Sequence, residues 1–187
     1  TMIYPLPAVM VSLGETAEEQ NIITIAWPGT ICSDPPMCYI SVRPERHSYA
    51  ILERTREFVI NLTTRQLAFA TDWCGVRSGR QFHKFEEMQL TPGPASKVKA
   101  PIIEEAPINI ECRVVEIKRL GTHDMFIAEV VSAIVTGSLA LLVDAGHMLT
   151  DMSVLIASTV TAVLMQRKPS NKRTWGWARL EVLTAAV

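Results

Sequence analysis

From Val130 to Gln166 the chain carries no Lys or Arg, and its only acids are Asp144 and Asp151. No other feature restricts the fold as strongly. A membrane helix needs about 20 mostly apolar residues, and the stretch from Ser138 to Met165 is longer than that. A soluble helix of such length normally keeps one wet face. Charge returns abruptly at Arg167, Lys168, Lys172 and Arg173, and upstream, from Glu15 to Glu129, a charged residue comes every few positions. The sequence therefore divides at a change of solvent. A soluble domain is expected over 1–130 and an α-helical, transmembrane-type segment over 131–187, a buried core helix being the alternative for the second stretch.

The 187 residues suffice for one good-sized core, or for one domain plus an appendage. A formal charge of -1 gives no reason to expect nucleic acid as a partner. Cys32, Cys38, Cys74 and Cys112 are scattered, with no C-x-x-C pair, so they are expected to be reduced thiols in a cytoplasmic setting. The start, Thr1-Met2-Ile3-Tyr4-Pro5, lacks the basic residues and apolar run of a signal peptide.

The first stretch has the local signals of a β-rich fold. Met37 to Val42 follows the turn residues Asp34, Pro35 and Pro36 and predicts a strand; Phe58 to Leu62 predicts another. Ile108, Ile110, Cys112 and Val114 alternate with Asn109, Glu111 and Arg113, the period of a half-buried strand. Val115 breaks the alternation, as a β-bulge would. Gly121 to Asp124 then predicts a hairpin turn into a strand from Met125 to Val130. Short helices fit Ser48 to Thr55, Arg65 to Asp72 and Arg80 to Met88, with Pro92, Gly93 and Pro94 as a loop. Many short strands with few helices imply a small barrel or sandwich.

Two places have the chemistry of an anion seat. Arg43, Arg46, His47 and Ser48 stand where a strand ends and a helix begins, and free N–H groups at a helix start attract phosphate. An N-cap Ser48 with solvated arginines would explain the same residues. Ser78, Gly79 and Arg80, followed by Lys84, form a second such turn, again open to the plainer account of a helix start. No Ser-His-Asp set, carboxylate pair or phosphate loop is present. A redox protein that takes its chemistry from a cofactor needs none of these.

The blocks Asn21-Ile-Ile-Thr-Ile-Ala-Trp27, Asp34-Pro-Pro, Ile40-Ser-Val-Arg-Pro-Glu-Arg-His-Ser-Tyr49, Glu57-Phe-Val-Ile-Asn-Leu62, Ser78-Gly-Arg and Lys84-Phe85 occur here in one order. In that order they resemble the flavin reductase-like, flavoredoxin-type FMN-binding family. The resemblance implies a split β-barrel homodimer holding FMN near the subunit interface. It also implies electrons passed from NAD(P)H to flavin, or to a redox protein. Position by position, it puts Thr24, Ala26 and Trp27 along the isoalloxazine and Ser41, Arg43, His47 and Ser48 toward the phosphate. Asn61, Ser78, Gly79 and Lys84 would complete the pocket, with no catalytic side chain required. His83 and His123 are expected at the surface. A flavoredoxin-like carrier without nicotinamide turnover is the second functional expectation.

In the second stretch Asp144, His147 and Asp151 stand three and four positions apart, one stripe of a helix. Ionisable groups in an apolar span mark function, and a His with an Asp at i and i+4 can share a divalent metal such as Zn²⁺. A hydrogen-bonded polar cluster is the alternative. Gly137 to Asp151, with Arg173-Thr-Trp-Gly-Trp177, Arg179 and Glu181, resembles the cation diffusion facilitator family of zinc-type efflux transporters. By that resemblance His147 and Asp151 are half of a metal site, on the second of about six membrane helices. The 131–166 segment would seek a membrane, and the third functional expectation is zinc efflux. Both stretches look truncated where they meet, the barrel lacking its closing end, so the chain reads as a chimera.

Overall fold

The computed structural model describes residues 5–135 together with Met152, Val154 and Thr159. The chain divides into two compact units, Thr1–Thr136 and Gly137–Val187. In the second, the three described residues are helical. The expected span over 138–165 otherwise lies outside the described residues, as do His147 and Asp151. Among the described residues no helix is long and apolar enough to cross a membrane, and no cluster of three metal-ligating side chains occurs.

The first unit is a mainly-β, split half-barrel. Its large sheet joins β1 (Val9–Leu13), β2 (Asn21–Ile25), β3 (Pro28–Ser33), β4 (Pro36–Val42), β5 (Glu57–Asn61), β8 (Ile108–Arg119) and β9 (Asp124–Val135). The order across the sheet is β2-β1-β5-β8-β9-β4-β3, every pair antiparallel. The two edge strands, β2 and β3, are consecutive in the chain and separated only by Ala26 and Trp27. Laid flat, seven strands would hold their edges about 29 Å apart. The link can span only about 11 Å, so the sheet has to roll up. Ser41 N donates to Trp27 O at 3.2 Å and draws β4 toward the link, where the barrel stays split.

Alternate residues fill the interior. Val9, Val11, Leu13, Ile23, Ile25, Ile40, Val42, Phe58, Ile60, Cys112 and Phe126 form one cluster, into which helix α1 (His47–Thr55) lowers Tyr49, Ile51 and Leu52. The outer face of β1 and β2 is also covered. Helices α2 (Ala68–Val76) and α3 (Lys84–Glu87) pack Ala70, Cys74 and Phe85 against Met10 and Ile22. On the far side, residues 95–102 lay Val98, Ala100 and Ile102 over Val59, with Val131 beside them. Those residues are held down by the fully buried Glu111 of β8. Its carboxylate accepts bonds from Ser96 N and Oγ (both 2.9 Å), Lys97 N (2.6 Å) and Val98 N (3.2 Å). Burial alone would raise its pKa, but the bonds from the three amides and the hydroxyl together hold it below the ordinary value.

The strands expected from alternation are present, and the ladder between β8 and β9 slips between Val114 and Glu116, where the bulge was expected. Gly121 turns the hairpin with φ 100, a conformation that favours glycine. The differences have physical reasons. Strand β9 runs on to Val135 and pairs Val130 and residues 132–135 with β8, the ladder slipping at Val131, which has an apolar surface to cover, while Ser132 Oγ has a partner in Ser96 Oγ at 3.1 Å. Helix α2 starts at Ala68 rather than Arg65, since Leu67, Ala70 and Cys74 are the residues that reach the sheet. Helix α3 is one turn only, beginning at Lys84; the chain before it, through Ser78 to Arg80, is a turn. Pro92–Gly93, expected as loop, is a two-residue strand (β6) paired with Ile102–Ile103 (β7).

Candidate functional site

The split in the barrel and the start of α1 open into two adjoining clefts that share Ile23, Arg43 and Arg46. The larger, about 430 Å³, lies between the β4–α1 corner and the turn after α2. The smaller, about 130 Å³, follows β2 and the Ala26–Trp27 link to the end of β4. Strand β4 ends at Val42, so Arg43 leaves the sheet at the rim, and α1 begins within five residues of it. No acid lies in the first turn of α1, and its N-cap, Arg46, makes no side-chain cap bond. Tyr49 N already donates to Arg46 O, so the N–H groups of His47 and Ser48 and the dipole of that helix end are what is available to an anion.

Most of the sequence-predicted residues come together here. Arg43, His47, Ser48, Ser78, Gly79 and Lys84 line the larger cleft, and Thr24, Ala26, Trp27, Ser41 and Arg43 line the smaller. Asn61 does not join them. It is fully buried in β5, where Nδ2 donates to Met10 O and Ser12 Oγ and Oδ1 accepts from Ile103 N, a staple between strands. Thr24 spends its hydroxyl proton on Thr71 O, anchoring α2 to β2. Lys84 is buried, and its Nζ donates to Ile22 O and Cys74 O at 2.7 Å each, so the ammonium ties β2 to α2 behind the cleft wall.

Three residues escaped the sequence reading. His123, expected at the surface, is half-buried in the smaller cleft: its ring centroid lies 4.5 Å from that of Trp27. Arg43 Nε donates to His123 Nε2 at 3.3 Å, which leaves the ring proton on Nδ1, 3.1 Å from Thr122 Oγ1. The β4–β9 ladder, which ends at Val42 and Asp124, brings His123 to Arg43, 80 residues away, so no local signal existed. Arg77 lines the larger cleft together with Arg46, which the sequence had already placed at the anion seat. Asn21 is buried; its Nδ2 donates to Ser48 Oγ at 2.9 Å while Oδ1 has no partner.

The electrostatics point one way. Arg43, Arg46, Arg77 and Arg80 line the larger cleft with Glu45 as the single acid, and none of them is within ion-pairing distance of a carboxylate among the described residues. Elsewhere in the unit, Arg54, Lys99, Arg113 and Arg119 are each paired with a glutamate. Burial, then Arg80 and Lys84, lower the pKa of His47. An unpaired cluster of guanidiniums beside a free helix end is a seat for phosphate. Gly79 packs so closely that a Cβ there would fall 2.4 Å from Asn21 Oδ1, which keeps the backbone of that turn against the wall and open to a ligand. A phosphorylated ligand with a flat ring toward Trp27 fits these residues.

Burial lowers the pKa of Lys84 to about 8, against raising by Cys74 and further lowering by Arg46. Between about pH 8 and its ordinary value of 10.5 the unfolded chain holds a proton that the folded chain has lost. Stability therefore gains a rising contribution across that window. In Lys84→Met that contribution is absent, and thermal midpoints measured from pH 7 to 10.5 diverge from those of the parent chain. Parallel profiles would refute the assignment.

Comparison with known proteins gives two matches. The family model "Flavin reductase like domain" covers residues 2–152, and "Cation efflux transmembrane domain" covers residues 123–187, so the two overlap. An uncharacterized protein of Pyrococcus abyssi is 30% identical over 131 residues, 70% of this chain and 74% of its own. The structure is similar to flavoredoxin of Desulfovibrio vulgaris (Miyazaki F), with 30% identity, TM-score 0.66 and 72% of each chain covered. It is also similar to an FMN-binding protein from Thermus thermophilus crystallised with bound p-hydroxybenzaldehyde: 25% identity, TM-score 0.65, covering 71% of this chain and 73% of that one. The zinc transporter ZitB of Pectobacterium atrosepticum is 47% identical over 66 residues, which are 35% of this chain and 21% of the transporter. The cation-efflux likeness is short and partial.

Proposed function

Because the chain belongs to the flavin reductase-like family through residues 2–152, we propose that it binds FMN in the paired clefts and moves electrons from a reduced nicotinamide to flavin or a protein acceptor. The observation that carries this is the larger cleft, where arginines without acid partners meet the open N-terminus of α1. A flavin, when bound, supplies the hydride and electron chemistry that side chains cannot. The chain's own residues bind and orient it. Arg43, His47, Ser48 and the Ser78–Arg80 turn hold the phosphate; Thr24, Ala26, Trp27 and Ser41 line the place for the ring. Lys84 and Asn21 stiffen the wall behind it.

Electrostatics make the test specific. Arg80→Ala, at a residue that lines only the larger cleft, weakens FMN binding by about tenfold, the worth of one charge-assisted contact. The same variant leaves riboflavin, which has no phosphate, nearly unchanged. Titration followed by flavin absorbance measures both. Equal losses for the two ligands, or no flavin uptake by the parent chain, would sink the assignment.

A flavoredoxin-like carrier without nicotinamide turnover is the second function, favoured by the likeness to flavoredoxin; steady-state NADH and NADPH oxidation separates the two. Homodimer formation is proposed on the family likeness, and a reducing, cytoplasmic setting on the four free thiols. For the second stretch, a Zn²⁺ half-site at His147 and Asp151, membrane attachment through the part of 131–166 that follows β9, and zinc efflux are proposals resting on ZitB, of which the chain spans about one fifth. The pairing of a flavin domain with such a piece, joined after β9, is proposed to be a chimera.

A further inference from the structure

We propose that Arg46 and Arg77 form a second phosphate seat, which makes the chain select a nicotinamide dinucleotide bearing a 2′-phosphate, NADPH, over NADH. This rests on the flavin assignment above and adds a substrate preference to it. One flavin phosphate, at about two negative charges, is answered by Arg43, Arg80 and the end of α1. Arg46 and Arg77 remain, and Glu45 is the one acid in the lining.

These two guanidiniums are positioned by neutral groups. Arg46 Nη1 donates to Gly75 O at 3.5 Å, which points its side chain at the C-terminal turn of α2. Arg77, the C-cap of that helix, has its guanidinium 5.9 Å from the centroid of the Phe82 ring. Phe82 is in turn edge-on to Trp73, centroids 5.4 Å apart. Carbonyl and ring contacts fix a guanidinium without neutralising it, and its planar fork suits a phosphoryl group. Every ion-paired Arg or Lys of this unit meets a glutamate instead. The cleft lined by Arg46 and Arg77 is about 430 Å³, room for more than one phosphoryl group, and it opens into the smaller cleft where the ring is assigned.

The test uses the flavin-loaded full chain and non-reactive probes. Calorimetry with adenosine 2′,5′-bisphosphate and with adenosine 5′-monophosphate isolates the 2′-phosphate from turnover. The bisphosphate is expected to bind at least about tenfold tighter, as a charge-assisted contact predicts. Arg46→Gln with Arg77→Gln brings the two probes within about twofold and removes the NADPH preference in kcat/KM. The Lys pair at both positions keeps part of the discrimination, and Arg54→Gln, at a remote ion pair, keeps all of it. Equal binding of the two probes to the parent chain overturns the proposal. So does a double variant whose affinity for FMN and FAD falls in step with that for the bisphosphate, since the cations would then serve the flavin itself. A chain that takes up no flavin is recognised by its absorbance before any probe is added; that result removes the flavin assignment and this proposal with it.

Discussion

Glu111→Gln is expected to cost about 3–5 kcal/mol of folding stability, the loss typical of breaking a buried, hydrogen-bonded charge. The change is nearly isosteric, so it leaves no cavity. It turns one of two acceptors into a donor. The four donors on the carboxylate are Ser96 N, Ser96 Oγ, Lys97 N and Val98 N, and whichever way the amide is turned, its NH₂ faces at least one backbone N–H. Residues 95–102 then lose their clamp, and Val98, Ala100 and Ile102 come off the outer face of the sheet. Urea unfolding followed by tryptophan fluorescence measures the difference; a loss under about 1 kcal/mol would refute it. Acid gives an independent check. The carboxyl is held below its ordinary value of 4.5, so its stabilising effect is complete above that pH and fades as pH falls through the folded pKa. Glu111→Gln therefore has a shallower loss of stability with acid.

Glu111 also marks where the sequence was legible and where it was not. Its alternation with Ile110 and Cys112 identified β8, because one face of that strand is apolar and the other polar. The glutamate is nevertheless fully buried, its charge matched by loop amides that no spacing rule connects to it. Strand β1, Val9–Leu13, went unread for the opposite reason. All five of its residues are buried, with the barrel interior on one side and α2 and α3 on the other, so no period of two survives.

The site followed the same division. Arg43, His47 and Ser48 stand at a strand end and helix start, and Ser78 and Gly79 at a turn, places that punctuate a sequence. Arg46 was legible with them, whereas Arg77 stands just outside the blocks, and that all four arginines of the cleft lack an acid partner among the described residues is a property of the fold. His123 reaches Arg43 through the pairing of β9 with β4. Asn61 sat within a matching block and is placed as a staple, with three of its four bonds going to neighbouring chain segments and one to Val59 O of its own strand. Block order located the cleft; partners decided what each residue does in it.

The run without Lys or Arg that begins at Val130 contains both the second half of a barrel strand and the start of another kind of sequence, and a pair of truncations separates them. A chain ending at Val130 removes Val131–Val135 from β9, a strand that lies inside the sheet between β8 and β4. Ser132, Ala133, Ile134 and Val135 pair with Glu111, Ile110, Asn109 and Ile108. Their loss leaves that end of β8 without a ladder, and deleting Val131 uncovers the surface shared with Val59 and Val98. At roughly 1 kcal/mol for each ladder hydrogen bond and about 1.5 kcal/mol or more for the valine, the deficit is on the order of 5 kcal/mol. That is comparable with the whole stability of a small domain. The 1–130 chain is therefore expected to be unfolded or aggregated and to bind no flavin. The 1–136 chain, which keeps every described strand, is expected to unfold in one cooperative transition and to bind FMN as tightly as the full chain does. Circular dichroism, urea unfolding and flavin titration on the two chains read this directly. A 1–130 chain that folds and takes up FMN would mean that the barrel is complete at Val130 and that the end of β9 contributes nothing to it.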